Sequence, residues 1–164
     1  MKRTNTKKLA IAGLLVAVAV VGSLFSFPVF GSKCAPVQHM VNIISAVTLG
    51  PFYGVVIAFA ASLFRNIFGL GSLMAFPGSM IGALCCGLMF KLTKRLLPTC
   101  VAEALGTGIL GGLCAYPVAK VLMGLEPVAV TVYIVPFLIS TVAGSILAFV
   151  LVGALMRTGI FKDL

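Results

Sequence analysis

The 164-residue sequence contains no tryptophan, three acidic residues and a single histidine. Only 9% of it is charged, against about a quarter in an ordinary soluble domain. That leaves too little polar surface to cover a water-soluble globule. The three acids, Glu103, Glu126 and Asp163, offer no carboxylate pair for acid–base work or for a magnesium site. The lone histidine, His39, has no nucleophile partner evident in the sequence, and neither GxSxG nor HExxH occurs. Gly69-Leu70-Gly71 is too short for a dinucleotide loop, and no Walker lysine follows it. The five cysteines, Cys34, Cys85, Cys86, Cys100 and Cys114, form no CxxC and have no histidine cluster beside them. No enzyme, metal site or cofactor is expected.

What is present is apolar. Hydrophobic residues make up 61% of the chain, and the mean hydropathy is +1.22. This composition indicates an all-α integral membrane protein, a single domain over residues 1–164 lying in the lipid bilayer. The net charge of +9 does not indicate nucleic acid, because the basic residues fall in short segments between apolar runs.

The first run, Leu9 to Phe30, has 22 residues, about 33 Å as a helix and enough to cross the hydrocarbon core. Its length, and the lack of a small-x-small site ahead of a polar mature domain, argue against a cleaved leader. Val37 to Leu70 is too long for one span, and Gly50-Pro51 breaks it. The expected helices are 9–30, 37–49, 51–68, 73–92, 100–122 and 133–156, a compact bundle of six. Glu103 is expected to open the fifth helix, where a carboxylate favours the positive end of the dipole and can meet Lys94 or Arg95.

With the N-terminus in the cytoplasm, nine of the twelve basic residues fall inside: Lys2, Arg3, Lys7, Lys8, Lys91, Lys94, Arg95, Arg157 and Lys162. The positive-inside rule therefore favours both termini cytoplasmic. The polar residues of the apolar runs then gather at the outer level. Gln38, His39 and Asn42 share the first turns of the second helix, Asn42 within i+3 and i+4 of the other two. Arg65 and Asn66 leave the third helix at that level, with Ser72 and Ser79 beyond the following turn. Tyr116 and Lys120 end the fifth helix, and Tyr133 begins the sixth.

Each of these has a plainer reading. Arg65 and Lys120 can snorkel to headgroups, the tyrosines can form an interfacial belt, and Asn42 and Ser79 can tie helices together. Their common level in an oily bundle is the pattern of a small-molecule pocket. Small-xxx-small patterns, Gly13 to Ala17, Gly78 to Gly82 and Gly108 to Gly112, allow close helix approach, the latter two within the bundle.

Taken together, the chain resembles the substrate-binding S-components of energy-coupling factor (ECF) transporters. The segments KCAPVQHMVNIISAVTLGP (Lys33 to Pro51) and SLFRNIFGLGSLMAFPGSMIGA (Ser62 to Ala83) resemble the ThiW family within that group. The resemblance implies capture of the thiamine precursor hydroxyethyl-methylthiazole at the outer face of a prokaryotic cell membrane, under a lid between the first two helices. It implies partners too: a transmembrane coupling protein and two ATPase subunits, docking on a first-helix AxxxA face that here reads Gly13 to Ala17. Substrate contacts would come from Gln38, His39, Asn42, Arg65, Asn66, Ser72, Phe76, Ser79, Tyr116 and Tyr133, with Phe76 or Tyr116 stacking on the ring. Arg65 would either orient Asn66 and the outer loop or meet a phosphorylated ligand. Other readings are an S-component for thiamine or hydroxymethylpyrimidine, a stand-alone small-solute carrier, and a structural membrane protein.

Overall fold

The computed structural model describes residues 2–29 and 32–158, with side chains from residue 6 onward. Phe30, Lys162 and Asp163, and the side chains of Lys2 and Arg3, lie outside the described residues. The elements in order are α1 (Lys2–Gly22), a 3-10 turn (Ser23–Phe25), β1 (Phe27–Val29), β2 (Ser32–Cys34), α2 (Pro36–Thr48), α3 (Pro51–Ile67), α4 (Ala75–Thr93), α5 (Leu96–Leu105), α6 (Gly112–Pro117) and α7 (Ile134–Arg157). Two π-helical stretches, Gly106–Gly111 and Val118–Leu122, join α5 and α6 into one rod, Leu96–Leu122. The result is six antiparallel rods, in agreement with the expected bundle. Four are long and apolar enough to cross a membrane: Thr6–Phe25, Ala75–Thr93, Leu96–Leu122 and Ile134–Arg157.

Two boundaries differ from expectation. The first apolar run does not stay helical to Phe30. It turns at Ser23–Phe25 and becomes strand β1, which pairs antiparallel with β2 in the register Phe27 to Cys34 and Val29 to Ser32. Pro28 is the physical reason, since it has no N–H to donate and biases the residue before it to extended backbone. The fifth rod begins at Leu96, not Cys100, because Pro98 sits in the first turn, where its missing N–H costs no helical bond.

α2 lies at the centre. It packs on α1, α3, α4, α5 and α7, and none of its residues is exposed. At 13 residues it is about 20 Å long, shorter than the hydrocarbon core. The hairpin covers the end it leaves short. Three apolar clusters hold the rods: Leu15, Ala19, Val41, Ile57 and Ala61; Met74, Ala115, Ala119, Tyr133 and Phe137; and Ile43, Cys100 and Ala148. α4 approaches the fifth rod closely at Gly82, where an added Cβ would strike Thr107 and come within 2.7 Å of Glu103 Oε2. α7 approaches α2 at Gly144 in the same way, against Pro36 and His39. The Gly108 to Gly112 pattern also packs internally, against Leu138 and Ile134 of α7.

Candidate functional site

A column of polar side chains runs through the middle of the bundle, and its anchor is Glu103. Its carboxylate is fully buried among α2, α4 and α5. Oε1 accepts from Asn42 Nδ2, Thr107 Oγ1 and His39 Nδ1, each at 3.0 Å. This overturns the expectation that Glu103 opens a helix beside Lys94 or Arg95. Because the helix starts at Leu96, Glu103 lies about two turns inside it and faces α2. Lys94 instead places its Nζ 5.5 Å from the Phe90 ring centroid.

His39 bridges two rods. Its Nδ1 meets Glu103, and its Nε2 lies 3.0 Å from Ser140 Oγ on α7. Nothing in the sequence places that serine beside the histidine, because the two are 101 residues apart. Ser140 Oγ also accepts the backbone N–H of Ala35 at 2.8 Å, which fixes the start of α2 against α7.

A chain of donors reaches Glu103 from the other side. Arg65 Nη1 donates to Gln38 Oε1 at 3.4 Å, Gln38 Nε2 to Asn42 Oδ1 at 3.1 Å, and Asn42 Nδ2 to Glu103. The guanidinium can only donate and the Ser79 carbonyl beside Asn42 Nδ2 can only accept, so both amides between them have one consistent orientation. Asn42 Nδ2 also donates to the Ser79 carbonyl at 3.1 Å, linking α2 to α4. Ser79 Oγ donates to Ala75 O at 2.7 Å, which leaves it to accept from Ser62 Oγ at 2.9 Å.

Above this column is a small polar cavity of about 30 Å³, lined by Lys33, Gln38, His39, Arg65, Ser79, Thr107, Phe137 and Ser140 with Ala35, Ala75 and Gly78. The cavity lies at the bundle end opposite Lys91, Lys94 and Arg95, under the β1–β2 hairpin. Lys33 of the hairpin donates to Gly69 O at 3.3 Å, and Cys34 Sγ to Pro136 O at 3.2 Å. The hairpin is thus tied to both the α3–α4 turn and α7.

Of the ten residues expected from the sequence, Gln38, His39, Arg65 and Ser79 line this cavity, and Asn42 lies directly beneath them. The other five are elsewhere. Asn66 Nδ2 donates to the carbonyls of Ser62 and Ser72, at 2.8 and 3.1 Å, and so holds the α3–α4 turn. Phe76 packs on Phe59, with centroids 5.6 Å apart. Tyr116 and Tyr133 belong to the apolar cluster behind Phe137, and Phe137 is the aromatic side chain in the lining.

The sequence reading missed Lys33, Thr107, Phe137 and Ser140 as lining residues, and Glu103 as their support. Thr107 had a usable signal, since it lies one turn from the only acid within an apolar run. Ser140 and Phe137 had none, being ordinary residues of a transmembrane helix.

Comparison with known proteins agrees with this architecture. The solved structure of the S component of a bacterial ECF transporter superimposes with a TM-score of 0.78 over 95% of this chain and 99% of that one, at 20% identity. At that identity the likeness establishes the fold. No curated protein sequence matches the chain. The family model for ThiW, thiamine-precursor transporter protein, matches residues 9–158, which takes in all six rods and every lining residue of the cavity. An S-component fold and a family match over nearly the whole length lead to one conclusion: this multi-pass membrane protein belongs to the ThiW family of thiamine-precursor transporters.

Proposed function

We propose that the chain is the substrate-binding S-component of an ECF-type importer in a prokaryotic cell membrane, capturing hydroxyethyl-methylthiazole at the outer face. The observation that carries this reading is the polar column of Glu103, His39, Asn42 and Gln38 beneath a cavity at the end opposite the basic loops. Buried polar groups in a membrane protein are costly unless they serve packing or a ligand. These meet a cavity rather than filling one.

On this reading Gln38, His39, Ser79 and Ser140 offer donors and acceptors for the ring nitrogen and hydroxyl, while Phe137 supplies an aromatic wall. The hairpin acts as the lid, opening when the Lys33–Gly69 and Cys34–Pro136 contacts part. Both termini face the cytoplasm, consistent with the positive-inside distribution. Energy comes from two ATPase subunits acting through a transmembrane coupling protein, and the chain itself is a carrier without catalytic activity. Gly13 and Ala17 are exposed, with open space around Gly13, beside an apolar groove between α1 and α3. That flat face is the docking surface for the coupling protein.

Calorimetric titration of the detergent-solubilised protein with the thiazole, thiamine and hydroxymethylpyrimidine tests the assignment. Tight binding of the thiazole alone is the expected result. Tight binding of another of the three replaces the ligand, and no binding by any removes the S-component role.

A further inference from the structure

Arg65 is a buried cation with a single hydrogen bond. It is 3% exposed and lines the cavity from the last turn of α3. A buried arginine is ordinarily paired with a carboxylate. The carboxylate beneath the cavity, Glu103, is within ion-pair distance of His39, and Arg65 is not part of that contact. Its one hydrogen bond, to Gln38, is long at 3.4 Å, and its buried Nε has no partner. The relay through Gln38 and Asn42 to Glu103 engages one of the five N–H donors of the guanidinium.

The charges facing the cavity share one sign. Lys33 lines it from β2, with its ammonium donating only to the Gly69 carbonyl at 3.3 Å. Glu103 is not in the lining; its Oε1 is taken by three donors, and its buried Oε2 has no partner. An occupant therefore meets two side-chain cations and no carboxylate. A neutral alcohol would use a small part of that capacity. An anionic oxygen group would use the planar fork of the arginine and the point charge of the lysine together.

We propose that the preferred ligand carries an anionic oxygen group, a phosphate monoester or a carboxylate, on its heterocycle, and that this group docks between Arg65 and Lys33. The ring lies deeper, toward Ser79, Thr107 and Phe137. This rests on the thiazole reading above, and it refines the ligand from the bare alcohol to a charged derivative.

The test is titration of the full-length protein with the thiazole alcohol, its phosphate monoester and the corresponding carboxylate, with inorganic phosphate alone as a fourth probe. At least one charged form should bind about tenfold or more tightly than the alcohol. Arg65→Gln and Lys33→Gln should each erase that preference, read as the ratio of the charged form's affinity to the alcohol's in the same variant, and Arg65→Lys should restore part of it. The comparison on the unaltered protein decides the matter even if Arg65→Gln does not fold. Equal or tighter binding of the alcohol overturns the inference and leaves the thiazole reading standing. Binding of inorganic phosphate as tightly as the ester, a preference that survives both substitutions, or tight binding of thiamine with no thiazole form bound overturns it as well, and the last result removes the thiazole reading too. The phosphate and carboxylate arms distinguish the two sources of negative charge.

Discussion

α1 and α2 are neighbours in the chain, joined by the hairpin, yet they obey opposite rules. The span at α1, Thr6–Phe25, is 17% buried, and from Leu9 to Gly22 it carries no polar side chain. α2 has no exposed residue and carries Gln38, His39, Asn42, Ser45 and Thr48. α1 packs on α2 and α3 along one side and shows the rest of its surface outward, whereas α2 touches every other rod. A lipid-facing helix needs only to be apolar and long enough. A helix at the centre can hold polar groups provided each one finds a partner. Ser45 and Thr48 donate back to α2 carbonyls, but Gln38, His39 and Asn42 find partners on α3, α4, α5 and α7, so the site cannot exist before the bundle is assembled.

Breaking the centre should therefore cost far more than altering the edge. Glu103→Ala removes the acceptor shared by three donors, leaving His39 Nδ1 without a partner and Asn42 and Thr107 with only the Ser79 and Gly78 carbonyls to donate to. It should destabilise the protein by about 3 kcal/mol, from the stranded buried donor and the cavity the side chain leaves. Thermal unfolding followed with a thiol-reactive dye suits the assay, because Cys34, Cys86 and Cys100 are buried until the fold opens. A melting temperature equal to that of the unaltered protein would remove Glu103 as the anchor.

The same small change at two glycines sharpens the contrast. Gly82→Ala drives a methyl group into Thr107 and Glu103 and should cost about 1–3 kcal/mol. Gly13→Ala meets open space on α1 and should stay within about 0.5 kcal/mol. Equal melting shifts for the two would mean that α4 and the fifth rod are not in close contact at Gly82.

Ligand affinity separates the regions next. His39→Ala and Asn42→Ala should each weaken binding by at least about tenfold, near 1.4 kcal/mol, in calorimetric titration. Unchanged affinity in both would move the site away from α2. Gly13→Leu should leave that affinity intact and instead lower uptake in vesicles containing the ATPase module, since it places a bulky group on the flat face of α1. Smallest of all, Phe76→Ala should change affinity by less than about twofold, because the ring packs on Phe59 outside the cavity. A larger loss would return Phe76 to the ligand.

Much of this was legible before the fold was known. Apolar runs separated by glycine, proline and basic residues reveal the rods, and the shared level of Gln38, His39 and Arg65 marks one end of the bundle. Asn66, two residues from the helix end, looked like a site residue because a polar group in an oily segment has few visible excuses. Its actual partners, the carbonyls of Ser62 and Ser72, are local, and only the path of the turn reveals them. Glu103 was misread for the opposite reason. A carboxylate near Lys94 and Arg95 has an obvious local explanation, and the true one lies 64 residues away at His39.

The sequence by itself determined the solvent, the number of rods and the end at which polar groups collect, because hydropathy, helix breakers and charge are local properties of the chain. Tertiary structure alone decided which polar groups share a network, that Phe137 rather than Phe76 lines the cavity, and that Arg65 faces it without a carboxylate. Those outcomes depend on which helix faces meet, and packing six rods at once sets those faces. No single stretch of sequence carries that information.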